Sequence, residues 1–230
     1  MIQGAPMGAR FEGCTFDNFE VSSENREAYE ACRRLAEKGG AGVLIMGKNG
    51  LGKTHLLVAL MKEYDRRTSR PSMNRREDAS GSVRVPPISE LLRAAATETN
   101  EDVGAGEPTL SPDEIERSTH IEYWPLLDLA SELRSEITRG HQEVSRRCRE
   151  CDLLVLDDFG AERVTDFVLA ELERIVDWRY RTMRPSAIAT NLDIARITLK
   201  YGQRALSRWA ASCELVTVLG EDHRASMEPT

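Results

Sequence analysis

The sequence predicts a three-layer α/β fold, a mainly parallel sheet covered by helices on both faces. Three observations lead there. Short apolar runs alternate with longer segments whose apolar residues recur at helical spacing, the rhythm of strands joined by crossover helices. At one strand-to-helix junction, residues 47–54 read Gly-Lys-Asn-Gly-Leu-Gly-Lys-Thr, a match to G-x-x-x-x-G-K-[ST]. Further on, the apolar run Leu153-Leu154-Val155-Leu156 ends in two acids, Asp157 and Asp158.

Residues 1–22 carry no periodic pattern and read as extended or irregular, with Phe11, Phe16 and Phe19 as apolar anchors. Residues 24–38 read as a helix, because Ala28, Ala31, Cys32 and Leu35 fall at i, i+3, i+4 and i+7 and Gly39-Gly40 stop it. Residues 42–46 are apolar apart from Gly42, as a parallel strand covered on both faces requires. The phosphate-loop pattern follows, then a helix to about Tyr64.

Residues 65–118 break the rhythm. Arginines crowd 66–76, Ser, Gly, Pro and Asn fill the middle, and acids load the end. A structureless stretch this long does not belong inside a compact domain, so it reads as a largely disordered surface insertion. Within it, residues 83–85 and 89–96 are a rival strand and helix for the core. The rhythm resumes with a strand at 120–124 and a helix bearing Leu126, Leu129, Ala130, Leu133 and Ile137 on one face, with Gly140 near its end. A helix at about 141–149, a strand at 152–158, a helix at about 165–183, a strand at 186–190, a helix near 193–210, a strand at 214–218 and a tail complete the chain. That makes a five-stranded sheet and one domain over 1–230, with 65–118 inserted in it.

The loop pattern carries chemistry because of where it sits. Glycines let backbone N–H groups turn inward around phosphate oxygens, and the following helix adds the positive end of its dipole. Lys53 is placed to reach the β- and γ-phosphates, and Thr54 to offer its hydroxyl to Mg²⁺. A buried strand ending in carboxylates delivers them to the C-terminal edge of the sheet, where open α/β folds bind ligands. Asp157 is expected to hold the metal and Asp158 to polarise an attacking water. Asn191 ends the strand at 186–190, where an amide can orient that water; the plainer reading is a helix cap or turn. Arg204 and Arg208, at i and i+4 on one helix face, either reach a nucleotide held by a neighbouring subunit or line a solvated basic face.

Bulk properties bound the rest. The net charge of −7 argues against coating nucleic acid through overall charge, though not against a local basic patch. Apolar runs are far too short to span a membrane, and residues 1–6 show no secretory signal, so the cytoplasm is the expected location. Five cysteines, an odd count without framework spacing, suit a reducing compartment. Cys148 and Cys151 form a lone Cys-x-x-Cys without the further ligands zinc needs, and read as buried thiols.

With these residues in place, the chain resembles the bacterial replicative helicase loaders of the DnaC/DnaI type and the related IstB-type transposition helpers, both AAA+ ATPases. The resemblance covers about 11–64 and 119–224. It rests on Phe16-Asp17-Asn18-Phe19, the run from Gly47 to His55, Leu153 through Glu162, Arg179-Tyr180, Ala189 through Leu192, the Gly202–Arg208 segment and Gly220 through Arg224. It implies an AAA+ P-loop NTPase with a reduced or absent helical lid. Gly47, Lys48, Asn49, Gly50, Leu51, Gly52, Lys53, Thr54 and His55 become nucleotide-binding Walker A positions, Asp157 and Asp158 Walker B, and Asn191 sensor 1. Arg208 resembles the arginine finger and Arg224 the sensor 2 arginine. ATP and Mg²⁺ are the implied cofactors. Single-stranded DNA, a replicative helicase or a transposase, and further copies of the chain are the implied partners. Loaders of this type carry a helicase-binding domain before the ATPase core, which here starts almost at Met1.

The function expected is thus a slow, Mg-dependent ATPase that controls binding of single-stranded DNA and a partner, foremost as a helicase loader in DNA replication. A transposase helper and a nucleotide-gated adaptor with incidental hydrolysis are the alternatives. A small-molecule kinase shares the phosphate loop, but the Asp157-Asp158 pair speaks against it.

Overall fold

The computed structural model describes residues 1–68, 119–161 and 165–220. Six strands form one wholly parallel sheet: β1 (Ile2–Gly4), β2 (Gly42–Met46), β3 (Ile121–Pro125), β4 (Leu153–Phe159), β5 (Ser186–Thr190) and β6 (Cys213–Thr217). They lie in the order β1-β3-β4-β5-β2-β6. Among the described residues six α-helices accompany them: α1 (Arg26–Lys38), α2 (Lys53–Thr68), α3 (Leu126–Arg139), α4 (Glu143–Glu150), α5 (Asp166–Arg181) and α6 (Ile194–Ser212).

Alternation along the central strands divides the core between two faces. Val43, Ile45, Leu153, Val155, Ala187 and Ala189 pack with Ala28, Cys32 and Leu35 of α1 and Leu56, Leu57 and Leu60 of α2. Leu44, Met46, Leu154, Leu156 and Ile188 pack with apolar residues of α3 through α6 on the other side. This is the expected three-layer arrangement. It places β5, the strand just before Asn191, between β2 and β4, and so between the strands that carry the phosphate loop and the two acids.

Four differences from the sequence reading have physical causes. The sheet has a sixth strand, β1, paired in register with β3 from Ile2 opposite Ile121. Its three residues are all exposed, so no apolar run announces it; backbone bonds such as Ile121 N–H to Met1 O (3.0 Å) and Ala5 N–H to Tyr123 O (3.0 Å) hold it. Ile137 is 51% exposed rather than on the buried face of α3. Glu136 takes the inward place, because its carboxylate accepts from Val144 N–H (2.6 Å) and Ser145 N–H (3.5 Å) and so caps the start of α4. α2 continues to Thr68, so residues 65–68 belong to a core helix and not to an insertion. The remainder of 65–118, including the rival strand and helix, lies outside the described residues. α6 is kinked at Gly202, whose φ of 82° and ψ of 158° no helix contains.

Among the described residues, no helix is long and apolar enough to cross a membrane.

Candidate functional site

The phosphate loop leaves β2 at the C-terminal edge of the sheet and enters α2. Gly47 N–H donates to Thr190 O at 3.2 Å, which fastens the loop's first residue to β5. Gly52 sits at φ 83°, and a Cβ there would stand 2.9 Å from Phe19 Cε2, so only glycine fits both the turn and the neighbour. Lys53 is 7% exposed, and its ammonium donates to Gly47 O (2.8 Å) and Lys48 O (2.6 Å). The loop thus wraps the charge that the sequence places at its end. Lys48 and Asn49 are exposed, while Leu51 is buried and anchors the loop in the core.

The acids come from β4, where the register with β5 shifts between Leu156 and Phe159. Asp158 occupies the left-handed region at φ 49°. Asp157 is 3% exposed, and each of its oxygens has partners. Oδ1 accepts from Thr54 Oγ1 at 3.2 Å and from Asp158 N–H at 2.9 Å. Oδ2 accepts from the Tyr123 hydroxyl, 3.3 Å away on β3. Burial, then the adjacent Asp158 charge, pushes the Asp157 carboxyl above its ordinary value. Burial and the same carboxylate push the Tyr123 phenol up. Nothing in the sequence marked Tyr123; its role follows only from β3 lying beside β4.

Thr54 and Asp157 therefore meet across 103 residues of sequence. A hydroxyl and a carboxylate are hard oxygen ligands, and two from the protein suit Mg²⁺, which keeps several waters and takes phosphate oxygens. The residues present fit that ion.

Asn49 through His55 and Asp158 line one side of a pocket of about 490 Å³. The other side comes from the N-terminal segment, with Arg10, Phe11, Cys14, Asn18 and Phe19 among the lining residues. The sequence marked Phe11 and Phe19 as apolar anchors but not as walls of the site. His55 faces this segment: its Nε2 lies 2.8 Å from Thr15 O and 3.1 Å from Asn18 Oδ1, and its ring meets Phe19 edge-on at 5.1 Å.

Asn191 and Arg208 are not gathered in the pocket. Asn191 is exposed just beyond β5 and is not among the lining residues. The turn that carries it is fixed by Thr190, whose hydroxyl donates to Phe159 O and accepts from Leu192 N–H at 3.0 Å. Arg208 on α6 pairs with Asp177 on α5 and does not line the pocket either. Arg224 lies outside the described residues.

The model of the bacterial DnaA ATPase domain family matches residues 11–74, the stretch holding the N-terminal segment and the phosphate loop. Over 76 residues the chain is 45% identical to the chromosomal replication initiator protein DnaA of Roseobacter denitrificans, covering 32% of this chain and 16% of that one. It is 22% identical over 215 residues to the replicative helicase loader DnaC of Escherichia coli, covering 92% of this chain and 69% of the loader. The crystal structure of a DnaC helicase loader is similar with a TM-score of 0.65 at 18% identity, over 92% of this chain and 99% of that one. The replication initiator DnaA bound to AMPPCP and single-stranded DNA is similar with a TM-score of 0.62 at 20% identity, over 90% of this chain and 50% of that one. The fold is that of AAA+ P-loop NTPases, and the resemblance to DnaC-type loaders extends over nearly the whole chain.

Proposed function

We propose that this DnaC-like chain is an AAA+ ATPase that binds Mg-ATP at the pocket and uses its hydrolysis to control a hold on single-stranded DNA and a replicative helicase. The observation that carries this reading is the Thr54–Asp157 contact of 3.2 Å beside the loop-wrapped Lys53. It brings the two sequence motifs together, which supports reading them as one polyphosphate and metal site. The AMPPCP and single-stranded DNA in the similar DnaA structure support the choice of nucleotide and of nucleic acid.

In this reading Gly47 through Thr54 grip the phosphates, and Lys53 turns its ammonium from loop carbonyls to the β- and γ-phosphate oxygens. Thr54 and Asp157 would hold magnesium, which when bound would supply positive charge beside the phosphates. Asp158, in the pocket wall, orients and polarises the attacking water, with Asn191 as a second contact. Arg208, released from Asp177, reaches the nucleotide of a neighbouring copy, and Arg224 closes over the site of its own. The whole of 1–230 then acts as one ATPase domain in the cytoplasm, with an insertion after α2.

The test is size-exclusion chromatography with light scattering, with and without Mg-ATP and single-stranded DNA, on the parent and on Lys53→Ala. Assembly that needs both ATP and Lys53 is the expected result. A parent that stays monomeric under every condition and gives no calorimetric heat with Mg-ATP overturns the proposal. Adding a purified replicative helicase or a transposase to the assembled protein then separates a loader from a transposition helper.

A further inference from the structure

In the nucleotide reading the loop grips the phosphates, and the ribose and base fall to the rest of the pocket's lining, which comes from the N-terminal segment. What fixes the segment against the loop is therefore part of nucleotide recognition. Resting on the nucleotide reading above, we propose that His55 is a positioning residue that ties the base side of the pocket to its phosphate side.

His55 follows Thr54 in the first turn of α2, so its backbone moves with the phosphate loop. Asn18 builds the structure it grips. The Asn18 amide oxygen accepts from Thr15 N–H (2.8 Å) and Thr15 Oγ1 (3.0 Å), while its Nδ2 donates to Gly13 O (2.9 Å). These bonds fix which end of the amide is oxygen. Both atoms facing His55 Nε2, Thr15 O and Asn18 Oδ1, are thus acceptors, so Nε2 carries the proton and donates.

The ring contributes separately. Phe19 stacks on Tyr29 of α1 at 5.8 Å and meets His55 edge-on. Phe19 also presses on Gly52, as the 2.9 Å approach to a Cβ there shows. Lys62, two turns along α2, holds Glu12 O and Cys14 O of the same segment. α2 thus grips the N-terminal wall at two points, and His55 is the one that lines the pocket.

The consequence is a split between ligands. A nucleotide needs the far wall in register with the loop; inorganic tripolyphosphate needs the loop alone. Calorimetry with Mg-ATP and with Mg-tripolyphosphate on the parent, His55→Phe and His55→Gln tests this. Phenylalanine keeps the edge contact with Phe19 and removes the donor; glutamine restores an N–H at similar reach. The expected result is ATP affinity lowered roughly three- to ten-fold in His55→Phe, the effect of one lost hydrogen bond. Tripolyphosphate affinity stays within about two-fold, and His55→Gln recovers most of the ATP affinity. Equal losses for both ligands, no loss for either, or no recovery in glutamine overturns the inference and leaves the nucleotide reading standing. A parent that binds neither ligand overturns the nucleotide reading itself.

Discussion

Two cations are buried at opposite ends of the sheet, and both rest on carbonyl oxygens. Lys53, at the C-terminal edge, donates to Gly47 O and Lys48 O of its own loop. Arg179, 2% exposed near the N-terminal edge, spreads its fork over several segments. Its Nη1 donates to Cys148 O (2.9 Å), Arg149 O (3.1 Å) and Cys151 O (3.0 Å). Its Nε donates to Ser186 Oγ (3.0 Å) and its Nη2 to Pro185 O. Burial lowers the Arg179 pKa from its ordinary value, and the carbonyls it meets are those at the end of α4, where the helix dipole favours a positive charge. The difference is that Arg179 is consumed in joining α4, α5 and β5, whereas Lys53 lines a pocket together with Asp158. Burial of a charge does not identify function; the neighbours it serves do.

The largest expected effect tests that distinction directly. Arg179→Ala orphans carbonyls at the end of α4 and lowers stability by about 3 kcal/mol or more, roughly 6–12 °C in Tm. Where the variant is still folded, its ATP affinity matches the parent. Lys53→Ala shows the reverse, with Tm nearly unchanged and ATP binding lost. Thermal melts paired with calorimetry read both, and the comparison fails if the two variants behave alike.

Asp157 sharpens it, because in the proposed reading its burial serves the ligand and not the fold. Its carboxyl is raised by burial and by Asp158. A carboxyl raised in the folded state loses stability as pH climbs from the unfolded value through the folded one, and the deficit is complete above that. Asp157→Asn is thus expected to stabilise the protein at neutral pH without nucleotide, by about 1 kcal/mol or ~2–4 °C, and the gain shrinks as pH falls into the carboxylate range. Hydrolysis falls about 100-fold or more. Melting curves across pH, with and without Mg-ATP, check the sign.

The smallest effect belongs to Tyr123, which orients Asp157 Oδ2. Tyr123→Phe keeps the ring in the core and removes one hydrogen bond. The affinity for magnesium in the nucleotide complex is expected to fall about ten-fold, with nucleotide binding in chelator unchanged. A magnesium titration of a fluorescent ATP analogue measures it, and an equal shift in chelator removes Tyr123 from the metal site.

Much of this was legible in the sequence for a physical reason. The strands at 42–46 and 186–190 are apolar because both faces are covered, and the structure gives them those bounds. The loop is contiguous, and its glycines are there because the backbone must turn. Ile137 misled because helical spacing says which residues share a face, not where the core stops. The edge strand β1 escaped notice because backbone pairing leaves no mark on side-chain pattern.

The sequence by itself determined the alternating α/β layering, the phosphate loop and the paired acids, because periodicity and short motifs are local properties of the chain. Only the tertiary structure decided that Tyr123 would hold Asp157, that His55 would face Thr15 and Asn18, and that Arg208 would rest on Asp177. Those contacts join residues 31 to 40 positions apart in the chain. Parallel register, crossover direction and helix packing set them, and none of these is encoded in a run of neighbouring residues.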